Sequence, residues 1–178
     1  MRKILPLDIM RYYVIYKDIE QEIIENIVSE NIEIRKLAYE RYVHKHMGIG
    51  RNFKADSFAM VLVTATNMLR EGIADVEELS DRYVRGEILS KSNIKKVEVA
   101  ASKLLWLYRN ETIIMDNINM KKLKAKDYKS YIENWKKEFE VREQEIIEVS
   151  NKYFNNIDEV INEKWFRMRV FDQYLQTI

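Results

Sequence analysis

Ile34, Leu37, Ala38, Arg41 and Tyr42 follow one another at helical spacing, and the same periodicity, punctuated by caps and stops, divides the chain into about seven helices. The first is expected over 7–28, opening after Pro6 and breaking once near Asp18. A second runs over 31–47, with Gly48 suited to its C-terminal cap. After the loop GIGRNFKA, Asp56 or Ser57 caps a third helix that runs to about Arg70, with Gly72 as its stop. Its run FAMVLVTATNML is apolar or small nearly all round, which predicts the central and most buried helix of the fold. Asp75 caps a short fourth helix, VEELSDRYVR, that ends at Gly86. Ser92 or Asn93 opens a fifth, IKKVEVAASKLLWLYR, ending near Asn110. A brief extended piece, TIIM, leads to Asp116, and two long amphipathic helices over 127–153 and 158–176 complete the chain.

Composition points the same way. Gly and Pro together number five in 178 residues, where average usage gives roughly twenty, and sheet folds spend both residues freely on turns. The apolar fraction of 47% supplies a sizeable core, and the 33% of charged residues keeps the outside soluble. The expected class is therefore all-α: a compact helical domain over 1–178 that allows for two lobes, since no Gly- or Ser-rich linker and no internal repeat divides it. The absence of cysteine removes disulfide scaffolds, thiolate zinc sites, iron–sulfur clusters and cysteine nucleophiles, and fits a reducing compartment. The start, MRKILPLDIMRYY, does not resemble a signal peptide, and no window approaches the ~20 apolar residues of a membrane span. A cytoplasmic protein with no membrane partner is expected.

Charge changes the picture, because it is balanced in total but not in distribution. Between Arg82 and Ser130 twelve Lys and Arg stand against five Asp and Glu, a net of +7, while the rest of the chain carries 18 basic and 24 acidic residues, a net of −6. Such a sector is either one face for an anionic partner or a solvated helix start around Lys121 and Lys129. Among candidate chemistries, His44 and His46 lie two apart on a helix, so they point in opposite directions and do not chelate together; no metal site and no cofactor are expected. Gly48-Ile49-Gly50 follows a helix rather than a strand, so no phosphate cradle forms there. Asp116 stands at the start of a helical turn, where a carboxylate is a good N-cap and should stay ionised. An ionised carboxylate at the edge of a basic sector also suits stabilisation of an oxocarbenium-like transition state. Local physics leaves both roles open.

The segment VAASKLLWLYRNETIIMDNINMKKL, 99–123, resembles the second half of the signature of the helix–hairpin–helix DNA glycosylase superfamily. The matching pieces are Val99-Ala100, the apolar run 104–107, the turn around Arg109-Asn110, and Ile113-Ile114-Met115-Asp116. SKLLWL and the ending WFRMRVFDQYL look more specifically like small bacterial proteins related to the 8-oxoguanine glycosylases. The resemblance covers 56–178 as a pattern and about 25 residues closely. It implies a helical glycosylase fold, duplex DNA as partner, and an enzyme that flips a modified or damaged base and hydrolyses its N-glycosidic bond.

By the same resemblance Asp116 is the catalytic carboxylate. Lys96, twenty residues before it, and less surely Lys103, would be a nucleophile or a phosphate contact. Trp106, Tyr108, Trp165 and Phe166 are the candidates for a base pocket, with core packing as the alternative for each. Where family members carry a Gly-x-Gly hairpin whose amides bind a DNA phosphate, this chain has Ser90-Lys91-Ser92-Asn93-Ile94. Lys91, Ser92, Asn93, Lys95 and Lys96, joined by Lys103, Lys121 and Lys122, would then supply the DNA contacts through charge and through the start of the fifth helix. Alignment on Val99-Ala100 puts Glu98 where bifunctional members have their lysine, so lyase activity is not carried over. The reading from another class is a helical binding or regulatory protein that uses such a fold without catalysis; no oligomeric state is specified.

Overall fold

A computed structural model describes residues 1–108, 111–154 and 156–178. Its described residues are all-helical: α1 (Pro6–Ile15), α2 (Gln21–Ile27), α3 (Ile32–Glu40), α4 (Phe58–Arg70), α5 (Val76–Arg85), α6 (Glu98–Tyr108), α7 (Asn117–Lys122), α8 (Tyr128–Tyr153) and α9 (Lys164–Thr177). Pairing of strand type is confined, among these residues, to one bridge between Phe53 and Leu89. The break expected near Asp18 is a π-helical turn at Tyr16–Glu20, and a second such turn, Arg41–His46, extends α3. Gly48 then takes a left-handed φ of 63°, and the Ile49 amide reaches back to the Val43 carbonyl. The chain forms two compact units, one of 18–112 and one of 1–17 with 113–178.

In the 18–112 unit the central helix is α6. Every residue from Ala100 to Leu107 is buried, and the Tyr42 hydroxyl donates to the Lys103 carbonyl at 2.7 Å. Burying Leu104 and Leu105 contributes about 1.5–3 kcal/mol each. This corrects the expectation for α4, the third helix of the sequence reading, which buries Val61, Leu62, Ala65 and Met68 but leaves Met60 and Val63 more than half exposed. An apolar run reports how apolar a helix is, not how many sides are covered, and only α5 and α6 pack on α4 among its principal neighbours. The fifth helix of the sequence reading begins at Glu98 rather than at Ser92 or Asn93. Residues 91–94 close a turn, with the Ile94 amide on the Lys91 carbonyl, and the Val97 amide donates to Ser80 Oγ of α5 at 2.8 Å. The expected end of that helix near Asn110 lies outside the described residues.

In the other unit α1, α8 and α9 pack together around Tyr12, Trp135, Phe139, Phe166, Phe171 and Tyr174. Asp127 opens α8 as expected, through a reciprocal pair in which the Ser130 amide donates to Asp127 Oδ1 and the Asp127 amide donates to Ser130 Oγ. The helix expected over 158–176 is instead a 3-10 turn, Glu159–Asn162, capped by Asp158, followed by α9. Nor is α9 amphipathic in the simple sense. All of Met168, Arg169, Val170, Phe171 and Asp172 are buried, so a charged pair lies inside the unit.

Candidate functional site

Asp116 is placed by a short stretch that is apolar for a structural reason. Ile113, Ile114 and Met115 are buried, and the Tyr131 hydroxyl of α8 donates to the Ile114 carbonyl at 2.8 Å, which holds this non-helical segment in place. Asp116 follows with an extended backbone and caps α7, its carboxylate accepting from the Ile118 amide at 2.8 Å. The residue is half-buried. Helix α7 is fastened to α9 by Asn119, whose side-chain amide donates to the Asp172 backbone carbonyl at 3.2 Å.

Behind α7 lies a buried polar group that the sequence reading missed. The Asp172 carboxylate accepts from Trp135 Nε1 at 2.8 Å and from Arg169 at 3.2 Å. Burial pushes its carboxyl up to about 6; the Arg169 charge and both hydrogen bonds oppose this, and nearby Asp116 adds to it. Tyr131 is also raised, first by burial and then by Asp172 and Asp116. The signal available in the sequence was two opposite charges three apart, Arg169 and Asp172, within an otherwise apolar stretch of helix.

Lys121 and Lys122 lie on α7 itself and are exposed, as are Lys124, Lys126 and Lys129; among the described residues none of the five forms an ion pair. Trp165 is half-buried with its ring 5.3 Å from that of Tyr16, whereas Phe166 is fully buried against Tyr12. Phe166 therefore belongs to the core and not to an open base pocket.

The remaining candidates fall in the 18–112 unit. Lys91, Ser92, Asn93 and Lys95 are exposed in the segment between α5 and α6, whose Ser90 is tied by its amide to the Asn52 carbonyl and by its hydroxyl to the Arg51 carbonyl. Lys96 is exposed but paired with Glu98 at 3.1 Å, and that hydrogen bond raises its ammonium further above the ordinary lysine value. A more basic amine is a poorer nucleophile at neutral pH. Lys103 is buried, its amine donating to the Met47 carbonyl, so it is removed from any phosphate-facing surface. Arg82 pairs with Glu71 and Glu78, and Arg85 with Glu78. Much of the basic sector in this unit is thus neutralised locally. Trp106 is fully buried and stacked over Tyr42 at 6.3 Å, which is the core packing weighed against a pocket role, whereas Tyr108 lines an open cleft. His46 Nε2 lies 2.7 Å from Glu20 Oε1.

The catalytic and phosphate-contact candidates thus divide between the two units, with Asp116, Lys121 and Lys122 in one and Lys91, Ser92, Asn93, Lys95, Lys96 and Lys103 in the other. Among the described residues no group of three or more histidine or acidic side chains is arranged to hold a metal ion, and no helix is long and apolar enough to cross a membrane. Comparison with family models, with curated proteins and with solved structures finds no match for this chain.

Proposed function

We propose that the protein acts on duplex DNA as a glycosylase-like enzyme that flips a modified base and hydrolyses its N-glycosidic bond, with Asp116 as the catalytic carboxylate. The observation that carries the reading is the construction around Asp116: a buried apolar segment pinned by Tyr131 delivers a half-buried carboxylate to the start of α7, a helix that ends in exposed Lys121 and Lys122. A fixed negative charge there would stabilise the cation that develops on the sugar as the base leaves. In support of the reading, α5, the non-helical 86–97, α6, the non-helical 113–115 and Asp116 follow one another in the order that the resemblance noted above implies. The reaction is simple hydrolysis, because Lys96 is held as an ammonium by Glu98 and Lys103 is buried.

The test is base release from duplexes that each carry one modified base, read by strand cleavage after alkali, with borohydride trapping alongside. Release that depends on alkali and gives no borohydride crosslink is expected. A borohydride-trapped adduct would overturn the hydrolytic assignment, and no release across a broad panel would favour a non-catalytic binding protein. That second reading has its own support: Asp116 already serves as an N-cap, and Arg82, Arg85 and Lys96 are paired with acids.

A further inference from the structure

Two surface clefts among the described residues of the 18–112 unit differ in their charge. The larger, about 430 Å³ between α2 and α3, includes Glu22 and Arg41, which pair with each other. The smaller, about 300 Å³, lies between the α2–α3 hairpin and α4. Its apolar lining includes Ile27, Phe58 and Leu62, and its rim is apolar yet open to solvent, with Val28, Ile32 and Val63 each at least half exposed. A volume of that size is at the small end of ligand sites, which are largely apolar with a few convergent polar groups.

The charged groups lining this cleft are all of one sign. Among the described residues Arg35 and Arg70 both line it, no acidic residue does, and neither arginine forms an ion pair. The Arg35 Nε is buried and makes no hydrogen bond among the described residues. Leaving a cationic donor desolvated and unmatched costs free energy that a carboxylate would offset. Tyr108 joins them as a neutral donor: burial pushes its phenol up to about 12, against the pull of Arg35 beside it. Two planar guanidinium groups fit the two oxygens of a carboxylate better than a point charge would.

We propose that this cleft is a binding site for an apolar monocarboxylate, with the tail against Ile27, Phe58 and Leu62 and the carboxylate on Arg35 and Arg70. The site is independent of the base-release reading. Decanoate, kept below its micelle concentration, serves as the probe in titration calorimetry, with decyltrimethylammonium and decanol as partners of matched tail and different head. Decanoate should bind saturably, and about tenfold or more tighter than either comparator, as expected when a charge-assisted hydrogen bond is gained. Arg35→Met and Arg70→Met should each lose that preference while keeping the far-ultraviolet spectrum of the wild type. Ala59→Phe, an exposed substitution on the cleft wall, should block decanoate, and Leu37→Lys in the other cleft should not. Equal binding of the cation, undiminished decanoate affinity in both arginine variants, or no saturable binding would each overturn the proposal. So would a dimer that Ala59→Phe dissociates in a protein showing no decanoate heat, which would assign the cleft to a second copy of the chain.

Discussion

Replacing Asp172 by Asn should make the protein's stability less dependent on pH without destabilising it at neutrality. A buried ion pair ordinarily invites the opposite expectation, since removing one partner of such a pair typically costs about 3–5 kcal/mol. The geometry decides otherwise. Asp172 is buried, accepts one hydrogen bond from Trp135 and one from Arg169, and still titrates upward to about 6, so desolvation outweighs what its partners return. Moving a carboxyl from 3.8 to about 6 on folding corresponds to about 3 kcal/mol between the two ends of the titration. The folded state binds this proton more tightly than the unfolded chain does, so the contribution is fully present below about pH 4 and is lost as pH rises through about 6. Asn resembles the protonated acid, can still accept from Trp135, and leaves Arg169 as it stands when Asp172 carries its proton. Urea unfolding of wild type and Asp172→Asn at intervals between about pH 4 and pH 7.5 should therefore show the variant gaining on the wild type by about 3 kcal/mol across that range. The Trp135 indole N–H resonance should titrate with a midpoint near 6 in the wild type and not in the variant. A variant that loses several kcal/mol at neutral pH, or a Trp135 resonance flat from pH 4 to 7.5, would refute the reasoning.

Asp8 should behave with the opposite sign. Burial works against its charge, but hydrogen bonds from Arg2 and the Leu5 amide outweigh that and lower its carboxyl, so its contribution is present above about pH 4 and lost as pH falls through the lowered value; Asp8→Asn should cost about 1–3 kcal/mol at pH 7 in urea unfolding and much less at pH 2. Leu105→Ala in α6 should cost about 2–5 kcal/mol, and Val63→Ala on the exposed side of α4 no more than about 0.5, which thermal unfolding of the two variants would compare. Replacing Lys121, Lys122 and Lys124 together by Ala should weaken binding to duplexes of any sequence and reduce the slope of affinity against salt by about 2–3, as measured by fluorescence anisotropy.

The all-α class was legible because scarce Gly and Pro and a helical period agree, and caps at Asp75, Asp116 and Asp127 stand where side-chain chemistry alone would put them. Burial was less legible. Met60 and Val63 look like core residues in sequence, yet coverage depends on which helices arrive from elsewhere, and α6 with its small Ala100, Ala101 and Ser102 is what the others pack around. The start of α6 was misplaced because Ser92 and Asn93 are good caps in isolation, while the tertiary bond from the Val97 amide to Ser80 sets where the helix begins. For the candidate site, Asp116 and its cap role could be read locally. The Tyr131 tether and the bond from Trp135 to Asp172 could not, since each joins residues well separated along the chain. Formal charge likewise overstated the basic sector, because Arg82 and Arg85 pair with Glu71 and Glu78 from outside it, and Lys103 turns inward to the Met47 carbonyl.

The most direct test of the central claim is the single-turnover rate of base release by Asp116→Asn, on a duplex that the wild type cleaves. Asn preserves the shape and can still accept from the Ile118 amide, so the unfolding free energy and DNA affinity should change by no more than a few tenths of a kcal/mol. If Asp116 is the catalytic carboxylate, the negative charge facing the developing oxocarbenium is lost, and removal of such an electrostatic partner costs about 3–4 kcal/mol, or several hundredfold in rate. A folded, DNA-binding variant slowed by that factor is the predicted result. A variant that releases the base at the wild-type rate would contradict the account, leaving Asp116 a helix cap and nothing more.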